Sequence, residues 1–236
     1  MFWKKNKEPK VEIFRHEAPT IKRKKEAIKY IKEFYKYKSN VNGAGGLDRY
    51  LNDYEGWLKY LEESRNRIPN EEKVPSETYF LVRINDNKII GMVNIRTCLN
   101  EKLRNGAGHI GYGIRPTERQ KGYNKINLYL ALKRCNELGI EEVLMDCDKK
   151  NPASAKTMLA LGGVMIKERE NKEDNIIEQV FTIDVKKSLA DNAEKYEKLL
   201  KEWILGTLQK IQKFWILGTL QKIQKFCQQR RFILAI

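Results

Sequence analysis

The sequence predicts one mixed α/β domain followed by a helical extension. Apolar runs of strand length alternate with amphipathic stretches of helix length, and glycine, asparagine and proline separate them. Of the 236 residues, 41% are hydrophobic and 33% are charged, which supplies a core and excludes a globally disordered chain. The apolar runs fall far short of the roughly 20 residues that span a bilayer.

The domain is predicted to begin with a strand and two helices. The strand covers 11–15, and helical spacing of apolar residues extends over 20–38, with Thr20 as the N-cap. A loop over 40–46 follows, because its glycines and asparagines do not sustain a helix. Apolar residues from Leu47 to Leu61 then mark one face of a second helix.

The rest of the domain alternates strands and helices. Asp86–Asn87 predicts a tight hairpin turn, and Gly139 ends the longest helix of this part. The predicted elements are strands 78–84, 88–96 and 109–115, helix 122–138, strand 142–147, helix 153–161, and strands 164–167 and 177–184.

Cysteine and histidine usage argues against metal or disulfide chemistry. The four cysteines form no Cys-x-x-Cys pair and read as reduced thiols, and His16 and His109 are the two histidines. We therefore expect no metal. The basic start of the chain has no apolar stretch behind it, so we expect no secretory signal and a cytoplasmic protein.

The net charge of +15 is concentrated at the two ends of the chain. Residues 1–40 carry a net charge of +8 and residues 203–236 carry +6, whereas the body between them is nearly neutral. Basic ends can bind nucleic acid or anionic lipid. Solvated helix faces explain the same charge, and we favour that interpretation over a nucleic-acid partner.

The segment that follows the strand at 109–115 carries the chemistry. The strand ends at Arg115–Pro116, a short turn follows, and a helix begins at Gly122. Unpaired N–H groups and the helix dipole at such a start suit a diphosphate. Gly122 allows close approach, and Arg119 and Lys121 add positive charge. The alternative is an ordinary strand–turn–helix junction.

Segment 119–124, Arg-Gln-Lys-Gly-Tyr-Asn, resembles motif A of the GNAT superfamily of acyl-CoA-dependent N-acetyltransferases, which has the form Arg/Gln-x-x-Gly-x-Gly/Ala. Residues 111–116 are similar to the splayed central strand of that family, and 144–155 resemble its next strand and helix start. The resemblance covers about 10–187. It implies a mixed, mostly antiparallel sheet flanked by helices, and acetyl transfer from acetyl-CoA to a primary amine of a small molecule or protein.

The resemblance also implies a cofactor site. Backbone groups of Tyr112, Gly113 and Ile114 would pair with the pantetheine arm, and amides from residue 120 to residue 125 would hold the pyrophosphate. Asn151 and Ser154 would contact the arm or merely cap their helix. The implied cofactor-binding residues are Gly113, Ile114, Arg119, Gln120, Lys121, Gly122, Tyr123, Asn124, Lys125, Asn151 and Ser154.

Two positions depart from the family pattern. Asn124 stands where the family prefers Gly or Ala, which raises the question of room for the phosphates. Met158 stands where many members carry the tyrosine that protonates the departing thiolate. A non-catalytic acyl-CoA-binding module is therefore kept as an alternative, beside an RNA-directed acetyltransferase.

The amine must be neutral to attack, so a base is needed near the splayed strand. His109 and Tyr112 are the catalytic candidates, and buried structural roles are the alternatives for both. Asp48, Arg96 and Asn100 are candidates for binding the acceptor, with ordinary surface positions as the alternative.

The chain divides into a basic lead over 1–9, an acetyltransferase domain over 10–187 and a helical extension over 188–236. Residues 203–214 are repeated without change at 215–226. Twelve residues rotate an ideal helix by about 120° beyond full turns, so the repeat predicts a break or two packing surfaces. Membrane-surface binding is an alternative. A homodimer is possible, and the sequence leaves the oligomeric state open.

Overall fold

The computed structural model describes residues 12–172 and 175–200. The predicted lead over 1–9 and the twelve-residue repeat lie outside these ranges. The strands are β1 Phe14–Glu17, β2 Ser76–Arg83, β3 Lys88–Arg96, β4 Ile110–Ile114, β5 Glu142–Asp148, β6 Val164–Asn171 and β7 Ile176–Asp184. The helices are α1 Lys24–Lys36, α2 Tyr54–Arg65, α3 Glu101–Arg104, α4 Tyr123–Glu137, α5 Pro152–Leu159 and α6 over 185–200.

The strands form two antiparallel groups that meet between β4 and β5. One group has the order β1-β2-β3-β4, and the other has the order β5-β7-β6. Each recorded pairing in both groups is antiparallel. The predicted mixed α/β class, with a mostly antiparallel sheet and a helix after the last strand, is confirmed.

Helices cover the sheet through two cores. The first core joins the strands to α1 and α2 and includes Phe34, Trp57 and Met92. The second joins them to α4, α5 and α6 and includes Leu128 and Tyr196. Because every strand alternates its side chains between two faces, this arrangement buries both faces of β3. Because β4 pairs with β3, it also lies between the two helical layers.

The second predicted helix is shorter than the apolar pattern indicates. Leu47–Arg49 forms one 3-10 turn, and α2 begins only at Tyr54. The Asp53 side chain accepts a hydrogen bond from the Gly56 amide at 2.9 Å, which caps α2 at this point. The prediction of a helix from Leu47 is wrong. The 3-10 turn and α2 pack into the same core, so their apolar residues recur at one helical spacing although the helix is interrupted between them.

Other boundaries shift by a few residues, and one element was not predicted. The first strand lies at Phe14–Glu17 instead of 11–15. Helix α3, which follows β3, is a four-residue turn capped by Asn100, whose side chain accepts from the Leu103 amide. Thr20 precedes α1 as expected, but its side chain makes no capping hydrogen bond. Among the helices of the described ranges, none is long and apolar enough to span a membrane.

Candidate active site

The strands β4 and β5 touch at one end and separate at the other. The His109 amide donates to the Leu144 carbonyl at 2.7 Å, and the Leu144 amide donates to His109 Nδ1 at 3.0 Å. Gly108 permits this contact, because a Cβ there would overlap the Leu144 carbonyl oxygen. Beyond His109, the described residues contain no ladder between the two strands. A gap therefore opens along β4.

The register of β4 decides which backbone groups face this gap. The Arg115 amide donates to Ile90 of β3, and the His109 carbonyl accepts from Arg96 of β3. Since antiparallel pairs alternate, the odd-numbered residues of β4 turn their backbone groups to β3 and the even-numbered ones turn away. The register thus favours Tyr112 and Ile114 over Gly113 for pairing with a bound arm.

Two side chains bind carbonyls of β4, and only the one that binds Ile114 occupies the edge that faces the gap. The Gly113 carbonyl accepts from Tyr30 Oη at 3.1 Å, and the Ile114 carbonyl accepts from Arg119 Nε at 3.1 Å. The amide of Ile114 and both backbone groups of Tyr112 make no recorded hydrogen bond within the described ranges. These three groups are the ones available to a ligand.

The turn after β4 presents a row of open amides. Gln120 and Gly122 both have positive φ, 63° and 80°, and Gly122 caps α4. The amides of residues 120–124 make no recorded hydrogen bond to the described part of the chain. A Cβ at Gly122 would meet nothing within 4 Å. The start of α4 therefore has the donors and the space that a diphosphate requires.

The basic side chains of this turn are already engaged. Arg119 Nη2 donates to Ser39 Oγ at 2.7 Å, and its guanidinium lies 5.4 Å from the centre of the Phe34 ring. Lys121 Nζ lies 2.8 Å from Glu118 Oε2. The Tyr123 hydroxyl donates to Glu12. These contacts shape the turn, so its backbone amides are better placed than these side chains to hold phosphate.

Glu118 forms ion pairs with three basic side chains at this turn. Its buried carboxylate contacts Lys88 at 2.5 Å and Arg83 at 3.3 Å in addition to Lys121. Burial alone would raise the pKa of Glu118, but these three cations outweigh it and lower the pKa to about 2. This role of Glu118 was not predicted from the sequence. The sequence signal for it was the spacing of three residues between Glu118 and Lys121, which predicts an ion pair.

Asn124 places a polar atom beside the open amides. Its Oδ1 is buried and has no hydrogen-bond partner among the described residues. Such atoms are uncommon in folded proteins and call for a partner. An N–H group of the pantetheine arm would supply a donor to this oxygen, so the residues present fit acetyl-CoA. The amide of the next residue, Lys125, donates to the Gly122 carbonyl at 3.1 Å and is therefore not open to a ligand.

The start of α5 lies across the gap from β4. Asn151 Oδ1 accepts from the Ser154 amide at 3.3 Å, which is the helix cap that the sequence allows. Ser154 is buried, and its Oγ lies 2.9 Å from the Tyr112 hydroxyl. Ser154 thus joins α5 to β4 across the gap.

Tyr112 places a phenol at the gap, within reach of the start of α5. Burial raises the pKa of its phenol well above the ordinary value, so the hydroxyl keeps its proton at neutral pH. Met158, at the position of the family's tyrosine, is fully buried in the core. Tyr112 therefore brings a phenol to the gap from the strand instead of from the helix.

His109 has a different environment. Burial, followed by the nearby charge of Arg104, lowers the pKa of His109 to about 4. The Nδ1 lone pair is occupied by the Leu144 amide, which leaves the proton on Nε2. These contacts favour the structural alternative for His109 over the role of base.

A polar cleft of about 370 Å³ lies on the other face of β4 and reaches Gly111. Two of the predicted acceptor-binding candidates, Asp48 and Arg96, line it, and Arg96 Nη1 donates to the carbonyls of Ala107 and Gly108. Asn100 does not line this cleft: its Nδ2 donates to the carbonyls of the loop at 70–71, and its Oδ1 caps α3.

Three further residues of this cleft were not predicted from the sequence. Arg49, Tyr60 and Arg67 line its wall, and both guanidiniums lie over the Tyr60 ring. The glycines of the 40–46 loop were the signal for its position, because Gly43 approaches Gly111 so closely that a Cβ would clash.

Comparisons with known proteins agree with this geometry. A family model described as an acetyltransferase (GNAT) domain matches residues 12–164. Among curated protein sequences, no significant match is found.

Solved structures share the fold at low sequence identity. The ribosomal-protein-S5-alanine acetyltransferase from Vibrio fischeri is 14% identical with a TM-score of 0.55, and the match covers 72% of this chain and 92% of that one. RimJ from Mycobacterium smegmatis, in complex with CoA-disulfide, is 11% identical with a TM-score of 0.57, covering 76% and 89%. The microcin C7 self-immunity acetyltransferase MccE, in complex with acetyl-CoA and AMP, is 16% identical with a TM-score of 0.52, covering 73% and 92%.

Proposed function

Because the chain belongs to the GNAT acetyltransferase family, we propose that it transfers an acetyl group from acetyl-CoA to a primary amine of a small molecule or protein. The observation that carries this proposal is the pairing of two features along β4. Open amides at residues 120–124 lie at its end, and a gap to β5 runs along its edge.

The binding of acetyl-CoA would use backbone groups above all. The amides of Gln120, Lys121, Gly122, Tyr123 and Asn124 would hold the pyrophosphate at the start of α4. Tyr112 and the Ile114 amide would pair with the pantetheine arm, and Asn124 Oδ1 would gain a partner.

Arg119, Lys121 and Lys125 would lend positive charge to this binding. Asn151 and Ser154 would border the arm at the start of α5. The backbone of Gly113 faces β3, so this residue would border the arm without a hydrogen bond and without a side chain in the way.

When bound, acetyl-CoA supplies a thioester whose carbonyl carbon is attacked by the neutral amine. Tyr112 would then donate its hydroxyl proton to the departing sulfur, since Ser154 holds the phenol in place at 2.9 Å. The described contacts of His109 leave it no accessible lone pair at Nδ1, so the amine proton would pass to another base or to water.

The test has two steps on the full-length protein. Thermal melts with acetyl-CoA measure binding, since a ligand at a hundred times its Kd adds about 2.7 kcal/mol of stability. Thiol release over a panel of amines then measures transfer. A melting shift with release supports the enzyme. A shift without release on any amine supports the non-catalytic module, which the burial of Met158 in the core favours.

A further inference from the structure

The cleft beside Gly111 has an unbalanced charge. Its wall carries four cationic side chains, Arg49, Arg67, Lys73 and Arg96, against the carboxylates of Asp48 and Glu72. Glu72 is paired with Lys102 at 3.0 Å. Asp48 is thus left as the one acidic side chain of the wall with no recorded ion pair among the described residues.

Two of these cations have no carboxylate of their own. Across the described ranges, no acidic oxygen is recorded within 4 Å of the guanidinium of Arg49 or of Arg67. Both instead lie over the ring of Tyr60, at 5.9 Å and 5.6 Å from its centre. This ring is itself stacked on Tyr50. The Tyr60 ring thus holds two like charges in one wall of the cleft, and a bound anion would offset this excess of positive charge.

The environment of Tyr60 agrees with an electropositive wall. Burial alone would raise the pKa of Tyr60, yet the Ser64 hydroxyl and, after it, Arg67 and Arg49 produce a net lowering. Guanidinium groups present paired donors whose geometry matches carboxylate and phosphate oxygens. A polyamine, in contrast, would meet more positive than negative charge in this cleft.

The cleft also reaches the strand that carries Tyr112. It is lined by Gly111, the residue next to Tyr112, and by the loop of Gly43 that crosses β4 there. An amine extending from the Arg49–Arg67 wall toward Gly111 would approach the strand along which the thioester would lie. Asp48 lies in the same cleft and would attract the amino end.

We propose that the acceptor is a small amine that also carries an oxyanion, either a carboxylate or a phosphate, which Arg49 and Arg67 bind. This inference rests on the proposed acetyl transfer and adds the chemical class of the acceptor to it.

The test compares four amines of similar length: 3-aminopropyl phosphate, 4-aminobutyrate, butylamine and putrescine. Thiol release is measured for the unchanged protein, for the double variant Arg49→Ala/Arg67→Ala, and for Lys59→Ala. Lys59 is an exposed cation on α2 outside the cleft, so its loss controls for the removal of one positive charge elsewhere on the surface. Acetyl-CoA melts confirm that each variant folds and binds the donor.

The expected result is a kcat/KM at least tenfold higher for an oxyanion-bearing amine than for butylamine or putrescine. The double variant should remove this preference, mainly through KM, and leave butylamine within about twofold. Lys59→Ala should retain the preference. The higher kcat/KM of the two, 3-aminopropyl phosphate or 4-aminobutyrate, identifies the preferred oxyanion. Fastest release with putrescine or butylamine, unchanged in the double variant, would overturn the assignment while acetyl transfer stands.

Calorimetric titration with 3-aminopropyl phosphate and 4-aminobutyrate separates this inference from the proposed function. If no amine supports thiol release, yet either compound binds and the double variant weakens that binding at least tenfold, the anion site stands and acetyl transfer fails. If neither compound binds, or the double variant binds them equally well, the anion site is overturned whatever the activity.

Discussion

The Tyr112 hydroxyl and Ser154 Oγ lie 2.9 Å apart across the gap between β4 and α5. This bond joins the two structural layers that border the proposed acetyl-CoA site, and it fixes a protonated phenol beside them. The hydroxyl is therefore the group whose removal should affect the chemical step with the least effect on the fold.

Tyr112→Phe should slow the chemical step of thiol release about 100-fold, since a positioned acid contributes this much or more. The melting shift with acetyl-CoA should stay close to that of the unchanged protein. Tyr129→Phe is the matched control, because Tyr129 is buried in the same core and its hydroxyl contacts Glu197 away from the gap. Equal turnover rates in the two variants would remove Tyr112 from the mechanism.

His109→Asn should leave the turnover rate within about twofold, because an asparagine oxygen can still accept from the Leu144 amide. The same change should alter the pH dependence of stability. The folded pKa of His109 is about 4, below its ordinary value of 6.5, so the unfolded chain binds the proton first as the pH falls.

The contribution of His109 is thus complete above pH 6.5 and is lost between pH 6.5 and about 4. Denaturant melts at pH 7 and pH 5 should show a smaller loss of stability in His109→Asn than in the unchanged protein. If His109→Asn instead slowed turnover about 100-fold and changed the pH–rate profile, His109 would be identified as a base.

Gly122→Ala should weaken acetyl-CoA binding strongly. The new Cβ would project into the open space at the amide row, and the positive φ would cost about 1 kcal/mol. Gly139→Ala is the matched control, since Gly139 also has a positive φ and an open surrounding but lies at the other end of α4. Both variants should lose similar stability, and only Gly122→Ala should lose the melting shift with acetyl-CoA. Equal shifts would place the diphosphate elsewhere.

Glu118→Gln should destabilise the protein by about 3 kcal/mol at pH 7, because it leaves three cations without their buried partner. The folded pKa of Glu118 is about 2 and its ordinary value is 4.5, so its stabilisation is present above pH 4.5 and is lost toward pH 2. The difference in unfolding free energy between the two proteins should shrink over that range. A constant difference would show that Glu118 acts through packing alone.

Much of the fold follows from the sequence because its signals are local. A continuous apolar run located β3, and the glycine after the basic turn located the start of α4. The break before α2 could not be predicted, because it depends on whether the Asp53 cap prevails over a continuous apolar period.

The site was predicted less completely because its details depend on contacts between distant segments. Sequence spacing indicated the amide row at residues 120–124. It could not show that the Leu144 amide donates to His109 Nδ1. It also could not show that Arg49 and Arg67, eighteen positions apart, share one aromatic ring. Charge at a single position does not reveal which partners the folded chain brings to it.

An amide ¹⁵N NMR titration of the full-length protein with acetyl-CoA tests the central claim most directly. The account predicts that the amides of residues 120–124 and of Tyr112 show the largest shifts, with a smaller response across β1 and β2. If those amides keep their resonances at saturating acetyl-CoA, or if the largest shifts lie on another surface, the proposed donor site would be contradicted.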